Sequence, residues 1–480
     1  MGFTFVDWTI LFLYFAGTMY MGIISRKRVT SVEDFLVAGR GLNIYVGVAT
    51  LLATETATIT VMNFSEMGYL SGFAALILAI IAGGVMIWVG RSGFLIEKLR
   101  GMELMTIPEY FQKRYDRGTR IICGSLLGIG VALNVGIFLK FEALFLAIML
   151  GIPIQSLTLV MTILLVFVLV YVLLGGMISI VLTDFVQFVF ISIGCLIVTI
   201  LLLFKFNLSD VIKTTMMDVS GGGLNPFNSP QMGWTFIIWQ IVLQIAVWTT
   251  WQTTVMRMFS AKSPEVGKKI YLWTGVMMIG MFSIPVLWGI FARAALGSSV
   301  ASSQAMPFML SKILPTGFKG LIVAAMIAAS MSSYSGYLLG WAAIISQDVI
   351  MPLKRKEMSS SSQIWLNRFF VLFLGLFILF YGLWYKLSES IFVYTSMTAN
   401  LYLAGTFISI LSGIYWKKAT TIGAYSALIA GTIPIISFFF FNISAEVAGA
   451  SSFIFAIAGM FLGSLFSTES EIKNAKEVII

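Results

Sequence analysis

Histidine is absent from all 480 residues, and cysteine occurs only twice, as Cys123 and Cys195. Without imidazole the chain has no haem or zinc ligation through histidine, no histidine proton relay and no histidine base. The two cysteines stand in apolar segments without ligand spacing, so neither a disulfide framework nor a metal motif is expected. Charge is scarce as well: Asp, Glu, Lys and Arg make up 11% of the chain against 59% hydrophobic residues, with a mean hydropathy of +0.96. That balance excludes a soluble globule and describes an all-α integral membrane protein, a single unit over 1–480. A membrane-embedded enzyme is disfavoured, because no metal cluster and no nucleophile with a neighbouring base stands out.

What is present is a succession of apolar runs of about 20 residues, each able to cross ~30 Å of hydrocarbon as a helix. Roughly 13 spans are expected, near 6–24, 44–70, 73–94, 118–149, 154–174, 177–204, 233–258, 268–294, 317–350, 363–385, 388–415, 419–441 and 450–467. The amino end has no basic region before its apolar part and no small-residue cleavage site, so it reads as a retained first span. The net charge of +9 follows the loops. Arg26, Lys27, Arg28, Arg40, Arg91, Arg100, Lys113, Arg120, Arg257, Lys268, Lys354, Arg355 and Lys417 fall in loops and at span ends on one side, and few cations fall on the other. The positive-inside rule then sets the amino terminus outside and the carboxyl terminus in the cytoplasm, in the cell inner (plasma) membrane. The basic balance is thus a membrane signature with the lipid bilayer as partner, and nucleic acid is not expected. The loop 205–232, rich in Gly, Asn, Asp and Ser, and an apolar stretch Met306–Leu314 that suits a short surface helix lie on the outer side.

Polar residues inside these runs are the functional candidates, because a charge at the bilayer centre costs on the order of 3 kcal/mol on insertion scales. Val46–Tyr69 carries Glu55 among Thr54, Thr56, Thr58 and Thr60. Hydroxyls this close to the backbone compete with helical hydrogen bonds, so a broken helix is expected there. Its freed carbonyls and hydroxyls suit a small cation, whereas the plainer reading is polar side chains packed on neighbours. The ninth span holds Ala328, Ala329, Ser330, Ser332, Ser333 and Ser335, either cation ligands or a close-packing seam whose serines bond their own helix. Asp184, with Thr183 and Gln187, would balance a cation or pair with a structural Lys or Arg. Lys140 and Glu142 are two apart on the fourth span and so do not face each other. Lys140 suits a structural acid or a carboxylate-bearing solute.

The second span runs opposite to the seventh, which has its own polar interruption, Val247–Thr254 (VWTTWQTT). Two interrupted spans, five apart and antiparallel, predict inverted five-helix repeats over 44–204 and 233–415, with sites near the midplane between the breaks.

Six segments carry a resemblance: VEDFLVAGR (Val32–Arg40), ATETATIT (Ala53–Thr60), MTIPEYFQKRY (Met105–Tyr115), LLGGMISIVLTDFVQ (Leu173–Gln187), WQTTVMRMFSAKS (Trp251–Ser263) and AASMSSYSGYLLGWAAIISQDV (Ala328–Val349). In this order and spacing the chain resembles the sodium/solute symporter family, sodium-coupled carriers of sugars, proline, pantothenate, sialic acid and monocarboxylates. The resemblance implies a LeuT-like fold with broken helices, alternating access, sodium as the coupling ion and no other cofactor. By position it implies a sodium site of the Ala53, Thr56 and Ala329 carbonyls with the Ser332 and Ser333 hydroxyls. A second ion, or the route of the first, would involve Asp184, Ser335 and Glu55, although Gly336 offers no hydroxyl. Solute contacts transfer to Thr60, Asn134 and Gln244, and an aromatic gate of the relatives falls on Val247, beside Trp248. The function implied is sodium-coupled uptake of a small polar or carboxylate-bearing solute. A proton-coupled carrier using Glu55 or Asp184, and a non-transporting solute sensor, remain as alternatives; the chain ends soon after the last span, with no signalling domain expected.

Overall fold

In the computed structural model, residues 3–25, 38–175, 177–354, 358–387 and 389–467 are described. Arg26, Lys27, Arg28, the first part of VEDFLVAGR (32–37), Gly176, Arg355, Lys356 and the tail after Ser467 lie outside them. Among the described residues the chain is helical throughout, with a lone backbone bridge between Leu42 and Ala261. Ten helices are long and apolar enough to cross a bilayer, and three shorter apolar helices lie at Phe5–Thr18, Ile44–Glu55 and Ile154–Val170.

Every backbone group in a bilayer core needs an internal partner, so departures from helix mark places where neighbouring protein supplies one. The first departure follows α1 (Phe5–Ser25). Helix α2 (Ile44–Glu55) ends with the Thr56 amide bonded to the Leu52 carbonyl, and Thr56 and Ala57 leave the helical region before α3 (Thr58–Ser71) begins. The expected break is therefore two residues long, at the threonine cluster. After α4 (Leu76–Ser92), α5 (Ile96–Gly101) and α6 (Ile107–Arg114), the expected fourth span is two helices, α7 (Arg117–Gly136) and α8 (Phe138–Leu150), meeting at Ile137. Helices α9 (Leu157–Gly175) and α10 (Met177–Lys205) follow. The loop beyond them is more ordered than its composition suggests and contains α11 (Leu208–Asp218).

The second interruption separates α12 (Gly233–Thr250) from α13 (Gln252–Phe259) at Trp251, whose backbone is extended. Thr249 and Thr250 return their hydroxyls to the carbonyls of Ile245 and Ala246. Helix α14 (Pro264–Leu296) packs along α3 and α4, and α15 (Ser302–Ile313) covers the Met306 stretch.

The axis of the molecule is α16 (Phe318–Ala343), almost wholly buried and continued by a π-helical segment, Ile344–Ile350. Its small residues allow close approach: a side chain at Gly320 would run into the backbone of Asp7 on α1, whose carboxylate accepts the Gly317 and Gly320 amides. Helix α17 (Ser360–Trp384) packs against it, and α18 (Ile391–Tyr415), on α7 and α12, carries the remaining helices α19 (Thr421–Ala430), α20 (Ile433–Phe441) and α21 (Ala445–Leu465). The outer helices turn large apolar groups outward, Leu159 and Ile163 on α9 and Phe369, Phe373 and Phe380 on α17 among them. In water such a surface would be a liability, and in lipid it is the required coat.

Candidate functional site

The break between α2 and α3 lies against the middle of α16. Ending α2 at Glu55 deprives the carbonyls of 53–56 of the next turn of helical amides. Ser333 donates to the Thr54 carbonyl at 2.7 Å, filling one vacancy from α16. Ser332 donates to Asp184 of α10 at 2.6 Å and its oxygen lies 3.4 Å from that of Thr54. The hydroxyl of Thr50 also donates to Asp184. All five expected sodium-site residues, Ala53, Thr56, Ala329, Ser332 and Ser333, are buried, and the Thr56 hydroxyl has no hydrogen-bond partner among the described residues. Hard neutral oxygens on an interrupted helix and a serine-bearing neighbour fit a dehydrated monovalent cation.

Asp184 has a further partner that sequence reasoning filed among loop cations. Arg257, on α13 and 1% exposed, approaches Asp184 at 3.3 Å, donates to Thr54 at 2.5 Å and returns a bond to its own Thr253 carbonyl at 2.9 Å. Gly336 makes room for it. A Cβ at 336 would stand 3.2 Å from the guanidinium, tighter than ordinary van der Waals contact. Ser335, the remaining candidate for a second ion, donates to the Ser332 carbonyl of its own helix at 2.7 Å. Ion pairs this deep are unforgiving when one partner is removed, because the survivor is a buried bare charge.

Glu55 makes its hydrogen bond outside this cluster. Its carboxylate accepts from Thr254 at 2.6 Å, joining the two broken helices, and it forms part of the wall of a cavity of about 150 Å³. Thr60, Asn134, Gln244 and Trp248, which come from three different helices, line the same cavity. Val247 lines it too, and the aromatic character expected there is supplied by Trp248, Trp251 and Tyr337. Trp251 meets Tyr337 edge-on, with centroids 5.7 Å apart, and stacks on Tyr402 at 5.8 Å. Asn134 donates to the Thr395 carbonyl at 2.7 Å and to the Thr398 hydroxyl at 2.8 Å. Trp248 donates to the Ala82 carbonyl at 2.9 Å, so its indole wall is fixed. The buried Gln244 carbonyl oxygen has no partner among the described residues.

Lys140 is not on this wall. Its ammonium donates to the Tyr385 carbonyl at 2.8 Å, apart from the cavity its expected place among the solute contacts would require. The residues that sequence reasoning passed over are Arg257, Trp251, Tyr337 and Thr395. Arg257 and Trp251 stand within a quoted motif, but only tertiary contact distinguishes a buried partner from a loop cation or a packing ring.

A family model described as the sodium:solute symporter family matches residues 35–431. The sodium/sialic acid symporter SiaT of Proteus mirabilis is 22% identical over 499 residues, covering 98% of this chain and 97% of that protein. The sodium/glucose cotransporter of Vibrio parahaemolyticus is 26% identical over 471 residues, covering 91% and 85%. Among solved structures, the substrate-bound outward-open state of a Na+-coupled sialic acid symporter superposes with a TM-score of 0.82 at 20% identity, covering 97% of this chain and 98% of that one. The nucleobase-cation-symport-1 transporter Mhp1 superposes with a TM-score of 0.57 at 12% identity, covering 93% and 98%.

Proposed function

The chain belongs to the sodium:solute symporter family, and from that premise we propose that the break between α2 and α3 holds the sodium ion that drives solute through the adjoining cavity. The protein is a multi-pass membrane transporter of LeuT-like fold and not an enzyme, and its activity is sodium-coupled symport. The observation that carries the site reading is the bond from Ser333 to the Thr54 carbonyl beside the Ser332–Asp184 bond. The first ties the end of α2 to α16 and the second ties α16 to α10, so a cation bridging the Ala53, Thr56 and Ala329 carbonyls with both serines would lock the same joint. Arg257 supplies the positive charge that Asp184 needs, which favours one sodium over two. Each ion moving down ~100 mV contributes about 2.3 kcal/mol before any concentration term.

The solute site on this reading is the cavity of Glu55, Thr60, Asn134, Gln244 and Trp248. Its lining includes one acid, Glu55, and no Lys or Arg, so a small solute rich in hydrogen-bond donors, an amine or a polyol, suits it better than an anion. Aromatic rings at Trp248, Trp251 and Tyr337 would pack on the apolar faces of such a solute. The relatives named above are sialic acid and glucose carriers, and this cavity favours the uncharged class of the two. We read 44–204 and 233–415 as the inverted repeats. The end bearing Arg40, Arg100, Lys113, Arg120 and Lys268 is assigned to the cytoplasm, with the amino terminus outside and the carboxyl terminus inside a plasma membrane.

The test is uptake into proteoliposomes under an inward sodium gradient, using a panel of amines, polyols, neutral sugars and carboxylates. The reading expects sodium-dependent accumulation within the first three groups that Asn134→Ala lowers. Accumulation of carboxylates alone would contradict the solute assignment, and accumulation that is equal in sodium and potassium would contradict the coupling ion.

A further inference from the structure

A second buried acid lies across α16 from the sodium oxygens. Glu142 of α8 is 1% exposed, and neither carboxylate oxygen closes a hydrogen bond among the described residues. The groups it faces are the hydroxyls of Tyr334 and Ser330 on α16 and the Ile59 amide in the first turn of α3. The Tyr334 hydroxyl has no partner other than Glu142 among the described residues. From Ser330 a hydroxyl chain continues into the break: Ser330 donates to Thr58 at 3.0 Å, and Thr58 donates to the Met326 carbonyl at 2.5 Å.

Among the described residues no cation stands as a partner of this acid. Among the titratable groups on the elements packed around α8, Tyr334 and Tyr337 interact with Glu142. Lys312, Lys319, Arg368, Arg117, Arg120 and Glu66, on the other packed faces, are not among its partners. Lys140, on its own helix, is bonded to Tyr385. An ionised carboxylate isolated in this way is far costlier than the neutral acid. The neutral form also supplies the O–H that an array of hydroxyl oxygens can accept.

We propose that Glu142 is a proton-binding site opposed to sodium: it carries a proton when the sodium site is empty and releases it when sodium binds. The proposal rests on the sodium site assigned above. The two sites share both of their walls. Ala329 and Ser332 flank Ser330 along α16 within about 3 Å of axial rise, and Thr56 precedes Thr58 at the same break. A cation on one side favours an ionised carboxylate on the other, because opposite charges in a dry interior stabilise each other. The exchange balances: one sodium enters, the O–H bond of the Glu142 carboxyl breaks, and one proton leaves to solvent. Linkage requires the reciprocal effect, so a higher pH tightens sodium binding.

Infrared difference spectroscopy of the purified protein reads the carboxyl directly. In potassium chloride at acid pH, wild type should show the carbonyl band of a buried protonated carboxyl, and added sodium should remove it. Glu142→Gln should lack that band, while Glu66→Gln keeps it. A sodium titration followed by thermal unfolding supplies the second readout. Between pH 6 and pH 8 the half-saturating sodium concentration should fall about five-fold or more in wild type. In Glu142→Gln it should stay at the acid value, and Tyr334→Phe, which keeps the acid, should retain a pH dependence. A band unchanged in Glu142→Gln, or a wild-type band that sodium leaves untouched, overturns the proposal. If sodium fails to stabilise wild type at any pH while the Glu142 band titrates with pH, the proton site stands and the sodium assignment and its antagonism fall.

Discussion

Replacing Ser332 by alanine removes one oxygen that acts in two ways. In the structure the hydroxyl donates to Asp184 at 2.6 Å. Its loss leaves a fully buried carboxylate oxygen short of one donor, a penalty of about 1–3 kcal/mol. Thr50 and Arg257 still hold the other oxygen, so the protein should fold with lowered stability in potassium. In the sodium-bound state the variant also lacks one of five proposed ligands. Sodium at 100 times its dissociation constant stabilises the folded state by about 2.7 kcal/mol, and a ten-fold weaker site would retain about half of that. The assay is thermal unfolding of purified protein in sodium and in potassium chloride at matched ionic strength. The expected result is a sodium-specific upward shift in wild type that is at least halved in Ser332→Ala, above a lower potassium baseline. A variant with a lowered baseline and an undiminished sodium shift would refute the ligand assignment while leaving the Asp184 bond intact.

Arg257→Leu should be more severe, costing about 3–5 kcal/mol because it strands Asp184 in the interior. Pairing it with Asp184→Asn should recover part of that loss, which a double-mutant cycle of unfolding midpoints measures. Glu55→Gln should weaken affinity for an amine or polyol by about ten-fold, the scale of one charge-assisted hydrogen bond at about 1.4 kcal/mol, and leave the sodium shift in place. Lys140→Ala, whose ammonium bonds a backbone carbonyl outside the cavity, should leave solute affinity within error of wild type in the same uptake assay.

Much of the architecture was legible because hydrocarbon imposes its length on each helix and leaves the run of apolar residues in the sequence. The breaks were legible for a different reason. Four threonines around Glu55 and the VWTTWQTT segment both bring side-chain hydroxyls that compete with helical hydrogen bonds, and the chain leaves the helix at Thr56 and Trp251. The subdivision of the fourth span at Ile137 left no such trace, because the residues around it are apolar on both sides. Asp184 was open to two readings, ion route or partner of a structural cation, and in the structure it bonds Arg257, Ser332 and Thr50. Arg257 itself was read as a loop charge, since hydropathy registers a guanidinium but not the carboxylate waiting for it. Lys140 was drawn toward the solute by its charge alone, and a backbone carbonyl of Tyr385 accounts for it. Glu142 was set aside because it could not pair with Lys140, yet the missing partner is what makes it notable.

The central claim is that sodium and solute stabilise one another through the joint between α2 and α16. Equilibrium binding of radiolabelled sodium to the purified protein, measured with and without a solute found in the uptake panel, tests it most directly. The account predicts that saturating solute raises sodium affinity by the factor by which saturating sodium raises solute affinity, since coupling free energy is reciprocal, and that Ser332→Ala weakens sodium binding in both conditions. Sodium affinity indifferent to the solute would contradict it.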